Sequence, residues 1–344
     1  MKSSVYWHNM SFKHRLVHHI ESIWWKREKP PWYVRLWMPL YRTASALDQK
    51  KRLDKSVQPP IPMISIGNIT VGGSGKTPFV IWLAKALKQH GYQPVVICRG
   101  DGGHSSNPIL LQQNSLAKDV GDEAVLLHRM SGCPVISAQN RVQASRMAAE
   151  YGDVILLDDG FQYRQLERVC DVVLIPDVGV GNGCVLPAGP LREPISNLKR
   201  ADIVVRVGQQ ANVSLSEHKE WHWHTLESSL RDWMQCHQAC PNMVHAVTAI
   251  ARPQRFVESL THAGFKLSGQ TFFPDHYAFK PTDISTFQNL SHPIAVTAKD
   301  AVKLEALWNQ DTPLWVLEQT AVAETELFER IESMLPSSHC PRSC

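Results

Sequence analysis

The sequence predicts an α/β protein: a parallel sheet covered by helices and organised around one phosphate-binding loop, followed by a smaller second α/β domain. Three observations carry this expectation. A glycine-rich stretch, Gly67 to Thr77, separates the short apolar run Pro62–Ile66 from a helical pattern of Phe79, Val80, Leu83 and Leu87. Short apolar runs then recur, at Pro94–Cys98, Pro134–Ser137, Val154–Leu157, Asp171–Ile175 and Ile203–Val207, with helical patterns such as Glu123–Met130 and Arg141–Glu150 between them. Near-continuous apolar strands in that order imply a parallel sheet buried on both faces. A second alternation begins at Met243, with strands near Val244–Ile250, Thr271–Phe273, Ile294–Val296 and Leu314–Leu317 and helices near Gln254–His262 and Asp300–Trp308.

The loop is read from its chemistry. Glycines let backbone N–H groups converge on a phosphate, and the following helix N-terminus adds a favourable dipole. Thr70, Val71, Gly72, Gly73, Ser74, Gly75, Lys76 and Thr77 would line a nucleoside triphosphate. Lys76 would reach the β- and γ-phosphates and Thr77 a Mg²⁺ ion. Such loops usually carry a glycine six residues before the lysine, where this chain has Thr70; the strand–loop–helix context outweighs that departure. The fold class is therefore P-loop NTPase-type.

At 344 residues the chain has room for two domains, and its 43% hydrophobic and 20% charged residues are ordinary for a globular protein. The net charge of +4 is unevenly spread: residues 1–58 hold 12 Lys+Arg against 4 Asp+Glu. The rest of the chain is therefore net acidic, which points to an anionic surface as partner and excludes a nucleic-acid-binding protein throughout. No Cys-x-x-Cys pair occurs among the eight cysteines, as suits a reducing cytosol.

The N-terminal segment has Phe12, Leu16, Val17, Ile20, Ile23 and Trp24 at helical spacing, with Lys and Arg around them and Pro30-Pro31 as a stop. A second apolar stretch, Trp32–Met38, ends at Pro39, and five of the 11 tryptophans fall in the first 37 residues. Tryptophan with basic residues favours the headgroup layer, so an interfacial helix is expected; no apolar run is long enough to span a bilayer. The expected organisation is 1–58 membrane-interface segment, 59–207 core, 208–242 linker and 243–335 smaller α/β domain. The linker's Trp221, His222, Trp223, His224, Cys236, His237 and Cys240 match no zinc spacing.

In parallel sheets ligands bind beyond the carboxyl ends of the strands. Four places there stand out: Arg99-Gly100-Asp101, Gly121-Asp122-Glu123, Asp158-Asp159-Gly160-Phe161-Gln162, and the loop through Leu186-Pro187-Ala188-Gly189 to Leu191-Arg192-Glu193-Pro194. Asp158 closes an apolar strand, the Walker-B arrangement of a carboxylate facing Mg²⁺. Asp122 alone reads as readily as a helix cap, and Arg192 alone as a surface arginine. In the second domain Pro274-Asp275-His276 leaves a strand end.

Taken together these strings resemble the tetraacyldisaccharide 4′-kinases, which phosphorylate a lipid A precursor in Gram-negative bacteria. The resemblance covers roughly residues 30–310, and Thr70 matches that family. Asp101, Ala124 and Ala298 depart from its pattern of tyrosine, proline and glutamate. It implies ATP and Mg²⁺, an acylated disaccharide lipid substrate, and a peripheral site at the cytoplasmic face of the inner membrane with no obligate protein partner. Thr77, Asp158 and Glu193 would lie at the metal; Lys76, Asp159 and Arg192 would line the reacting centre; Asp122 with His276 would take the proton from the 4′-hydroxyl. The alternative is a membrane-associated P-loop ATPase or GTPase switch, whose Asp-x-x-Gly and Asn-Lys-x-Asp strings are missing.

Overall fold

The structure, a computed structural model, describes residues 6–7, 20, 22–25, 29–100, 107–208, 219–275 and 277–336. In chain order, strand β1 (Tyr6–Trp7) is followed by helices α1 (Trp32–Arg35) and α2 (Met38–Leu53). The expected helix through Phe12 and Leu16 lies mostly outside the described residues; 22–25 are helical. Pro39 does not stop the second apolar stretch. It lies in the first turn of α2, where a proline costs no hydrogen bond because those N–H groups have no intrahelical partner.

Two compact units follow. The first holds the described residues from 20 to His224 and from Ala321 onward. It contains β2 (Met63–Asn68), α3 (Lys76–Gln89), β3 (Pro94–Cys98), β4 (Ile109–Leu110), α4 (Ala117–Val120), α5 (Asp122–Ser131), β5 (Val135–Ser137), α6 (Arg141–Ala148), β6 (Val154–Asp158), β7 (Cys170–Ile175) and β8 (Ile203–Val207). The hydrogen-bonded order is β8-β7-β2-β6-β3-β5-β4, parallel except for β4 on β5. Every residue of β2, β3, β6, β7 and β8 is buried. Successive side chains of a strand point to opposite faces, so both faces of this sheet are covered. That is why these strands read as near-continuous apolar runs, with Ser65, Asn68, Asp158, Asp171 and Arg206 as buried exceptions.

The stretch expected to be a linker instead carries β9 (Glu220–Asp232), a strand of 13 residues whose first part pairs parallel with β8. Trp221 and Trp223 are buried while His222 and His224 are only partly so. The tryptophan–histidine alternation is thus a strand's period of two. Among the described residues no cluster of His, Cys, Asp or Glu could hold a metal.

The second unit spans Thr225–Thr320 with β1. It adds β10 (Met243–Thr248), α7 (Pro253–His262), β11 (Lys266–Phe272), α8 (Pro281–Gln288), β12 (Ile294–Val296), α9 (Ala298–Leu304) and most of β13 (Trp315–Ala323). Its order β1-β11-β10-β12-β13 is parallel throughout. Helix α10 (Thr325–Glu332) returns to the first unit. Strands β11 and β13 outrun their expected ranges because they continue through polar residues such as Ser268, Gln270, Glu318 and Gln319, which a search for apolar runs passes over.

Candidate active site

The glycine loop leaves β2, the strand between β7 and β6, and enters α3 at Lys76. Gly72 and Gly75 take left-handed backbone angles (φ 90° and 77°), which glycine adopts without a Cβ penalty. Space beside Gly72 and Gly73 is open, so a Cβ there would meet nothing within 4 Å. Asn68, fully buried, braces the loop from inside: its side-chain amide donates to the Thr70 carbonyl and to Ser74 Oγ, both at 2.8 Å. Thr70 forms an antiparallel bridge with Leu191. Its backbone is extended, a conformation any residue adopts, and this removes the need for glycine.

Beyond β6 the chain turns sharply. Asp158 is the last strand residue and is buried; Asp159 follows with φ 52°, an uncommon angle for a residue with a Cβ. Gly160 donates to the Ile66 carbonyl at 3.1 Å. A Cβ on Gly67 would lie 2.5 Å from Phe161 Cβ, so this turn and the end of β2 touch backbone to backbone.

The turn aims the Asp159 carboxylate at two cations. Lys76 Nζ lies 3.2 Å from Oδ1, and Arg192 Nη1 donates to Oδ1 and Oδ2 at 3.0 and 2.9 Å. Burial opposes ionisation of Asp159, but Lys76 and then Arg192 outweigh it and hold the carboxyl well below the usual range. Asp158 behaves oppositely. Burial, reinforced by the Glu123 carboxylate and only partly countered by Lys76, pushes it up to about 7. Its Oδ1 is buried with no hydrogen-bond partner.

Arg192 is itself held in place. Its N–H donates to the Ile69 carbonyl at 2.7 Å and its carbonyl accepts from the Tyr41 hydroxyl at 2.9 Å. The next residue, Glu193, is 1% exposed; its Oε2 accepts from Arg200 and, at 2.7 Å, from Asn197.

The structure therefore brings Lys76, Asp159 and Arg192 into direct contact, with Asp158 and Thr77 adjacent in the chain. Glu193, expected at the metal, accepts from Arg200 and Asn197 with Oε2, while its Oε1 is buried without a hydrogen-bond partner. Asp122 is the first residue of α5, half-buried, with Oδ1 accepting from the Glu123 N–H at 3.0 Å. His276 and Asp101 lie outside the described residues. Arg141 was legible only as the start of a helix. It is 6% exposed and sits over the Tyr163 ring at 4.8 Å, within electrostatic reach of Asp159. Arg141 and Tyr163 carry no sequence signal for one another, because the contact joins α6 to the loop after β6.

The chain matches, over residues 32–336, the family described as tetraacyldisaccharide-1-P 4′-kinase. It is 33% identical to the tetraacyldisaccharide 4′-kinase of Aeromonas salmonicida over 332 residues, covering 94% of this chain and 98% of that protein. The corresponding kinase of Nitrosococcus oceani is 40% identical over 250 residues, covering 71% and 72%. Among solved structures, LpxK from Aquifex aeolicus in complex with ATP superposes with a TM-score of 0.74 at 25% identity, covering 88% of this chain and 99% of that one.

Proposed function

This chain belongs to the tetraacyldisaccharide-1-phosphate 4′-kinase family, and from that premise we propose how its site performs the reaction. The protein is an ATP-dependent kinase of lipid A biosynthesis that moves the γ-phosphoryl group of ATP to the 4′-hydroxyl of a tetraacyldisaccharide 1-phosphate. The observation that carries the reading of the site is the Asp159 carboxylate held between Lys76 and Arg192 beside the open glycine loop.

Phosphoryl transfer requires positioning and charge neutralisation more than covalent help. The backbone N–H groups of Gly72 to Thr77 hold the phosphates. Lys76 neutralises charge on the β- and γ-oxygens, and Arg192 does so on the moving group. Asp159 keeps both cations aimed at the loop, so little rearrangement is needed when the phosphates arrive. Asp122, at the carboxyl-end side of the sheet, accepts the hydroxyl proton; His276 assists it in the role the family resemblance implies.

Mg²⁺ fits the residues present. The orphaned, buried Oδ1 of Asp158 is a hard oxygen donor in need of a partner. Asp158 and the Thr77 hydroxyl would hold the ion, which when bound would supply positive charge to offset that of the phosphates. Glu193 would join that set through its Oε1, likewise buried with no hydrogen-bond partner, while its Oε2 braces Arg200 and Asn197.

The enzyme works at the cytoplasmic face of the inner membrane, on a surface offered by α1 and α2. Among the described residues no helix is long and apolar enough to cross a bilayer. Trp32, Leu36, Trp37, Leu40 and Leu47 are each at least 60% exposed there, alongside Arg35, Arg42, Lys50 and Lys51. Exposed apolar groups among basic ones suit an anionic bilayer surface. Trp24 faces elsewhere, donating its indole N–H to the Pro187 carbonyl at 2.8 Å.

The test is direct. The purified protein is incubated with Mg-ATP and a tetraacyldisaccharide 1-phosphate in mixed micelles, and the lipid is analysed by mass and by ³¹P resonance. One added phosphoryl group on the 4′-oxygen is expected. Release of inorganic phosphate with the lipid unchanged would favour the ATPase switch instead.

A further inference from the structure

Helix α2 lies on the surface with no fully buried residue, yet two of its polar side chains reach the segment that carries Arg192. Tyr41 packs against the cluster of Ile69, Phe161, Val173 and Leu191, and its hydroxyl donates to the Arg192 carbonyl at 2.9 Å. Eight residues further along, Gln49 Oε1 accepts from Arg200 Nη1 at 3.1 Å, and Arg200 is paired with Glu193. One helix thus braces two consecutive residues, 192 directly and 193 through Arg200.

The bracing matters because of what Arg192 does with its other groups. Its N–H is bonded to the Ile69 carbonyl at the mouth of the glycine loop, and its guanidinium is bonded to Asp159. With donor and acceptor of the same peptide segment both engaged, the Cα of Arg192 is fixed from two sides. Its long side chain then reaches the Asp159 carboxylate with fewer conformers to lose. Burial pushes the Tyr41 hydroxyl above its ordinary pKa, so it remains a donor across the working pH range.

We infer that Tyr41 is a positioning residue for the phosphoryl transfer: it touches neither substrate nor nucleotide, and acts by holding Arg192 where it reaches Asp159 and the moving phosphoryl group. This rests on the role given above to Arg192. It also makes the membrane-facing helix part of the catalytic scaffold, since the same helix exposes Leu40 on one side and bonds Arg192 through Tyr41 on the other.

The experiment is a double-variant cycle on the full chain, with Mg-ATP and tetraacyldisaccharide 1-phosphate in mixed micelles. Tyr41→Phe keeps the ring and its packing and removes only the hydroxyl. A neutral hydrogen bond corresponds to a loss of about 2- to 10-fold, expected in kcat with KM for ATP nearly unchanged. In an Arg192→Ala background the same substitution is expected to cost nothing further in kcat, because the carbonyl it bonds remains but the guanidinium whose position that bond sets is gone. A Tyr41→Phe enzyme with unaltered kcat overturns the inference. So does the same fold-loss in both backgrounds, which is what a purely structural brace would give. Arg192→Ala with full activity would instead sink the reading of the reacting centre on which the inference stands.

Discussion

Lys76 of the glycine loop and Asp159 beyond the neighbouring strand form an ion pair of 3.2 Å. The lysine is 16% exposed and its partner is shared with Arg192. Replacing Lys76 with alanine removes the cation that offsets charge developing on the transferring group. Turnover should fall by about 10²–10³-fold or more, measured with lipid saturating, while lipid binding persists. Near-normal activity in this variant would mean the phosphates bind elsewhere.

Asp122 and His276 should behave as a unit. A positioned base speeds proton removal by about 10²–10⁴-fold. Each alanine variant should therefore lose turnover far more than ATP affinity, and the double variant should be little worse than the poorer single one. Losses that multiply would leave His276 as a substrate contact.

Leu40 and Leu47 are each 63% exposed on α2, so glutamate at both should leave the thermal transition in place. Vesicle flotation with anionic lipid should nonetheless weaken by about tenfold or more, since each leucine inserted is worth about 1.5–3 kcal/mol. High salt should weaken binding further by screening the basic residues. Flotation equal to the unmodified protein would place the membrane contact outside this helix.

Asp300 offers a pH test inside the second unit. Fully buried, it accepts from Thr248 Oγ1 and Thr297 Oγ1, both at 2.7 Å, and from the Ala249 N–H at 3.2 Å. Burial still outweighs these partners and Lys303, so its pKa is raised. A raised folded pKa means that the folded state holds this proton more tightly than the unfolded chain. The stability it contributes is complete below the unfolded value of about 3.9 and is lost as pH rises through the folded one. The Tm of Asp300→Asn relative to the parent should therefore move in the variant's favour as pH rises above about 4. A Tm difference that stays constant, or drifts the other way, would contradict the raised pKa.

Much of this was legible in the chain. A strand buried on both faces is apolar at nearly every position, so β3, β8 and β12 fall at their expected residues, Arg206 being the one charged residue among them. The glycine loop needs its residue types in sequence order, because its function is carried by consecutive backbone N–H groups. Asp158 was legible as a carboxylate ending such a strand. Strand β9 was written in the sequence too, as the alternation of Trp221 and Trp223 with His222 and His224, although residue types suggestive of a metal site obscured the period.

The tertiary structure decided what depends on partners far apart in the chain. Asp159 could be placed near the site by position alone, but its charge state follows from Lys76 and Arg192, which lie 83 and 33 residues away on either side. Glu193 had the chemistry of a metal ligand; only the fold set Arg200 and Asn197 on its Oε2 and left its Oε1 without a hydrogen-bond partner. Tyr41 and Arg192 are separated by 151 residues, and neither carries a local signal for the other. Periodicity and loop chemistry act over a few residues and so are encoded locally. Hydrogen bonds and ion pairs are decided by which surfaces the packed sheet and its helices bring within about 3 Å.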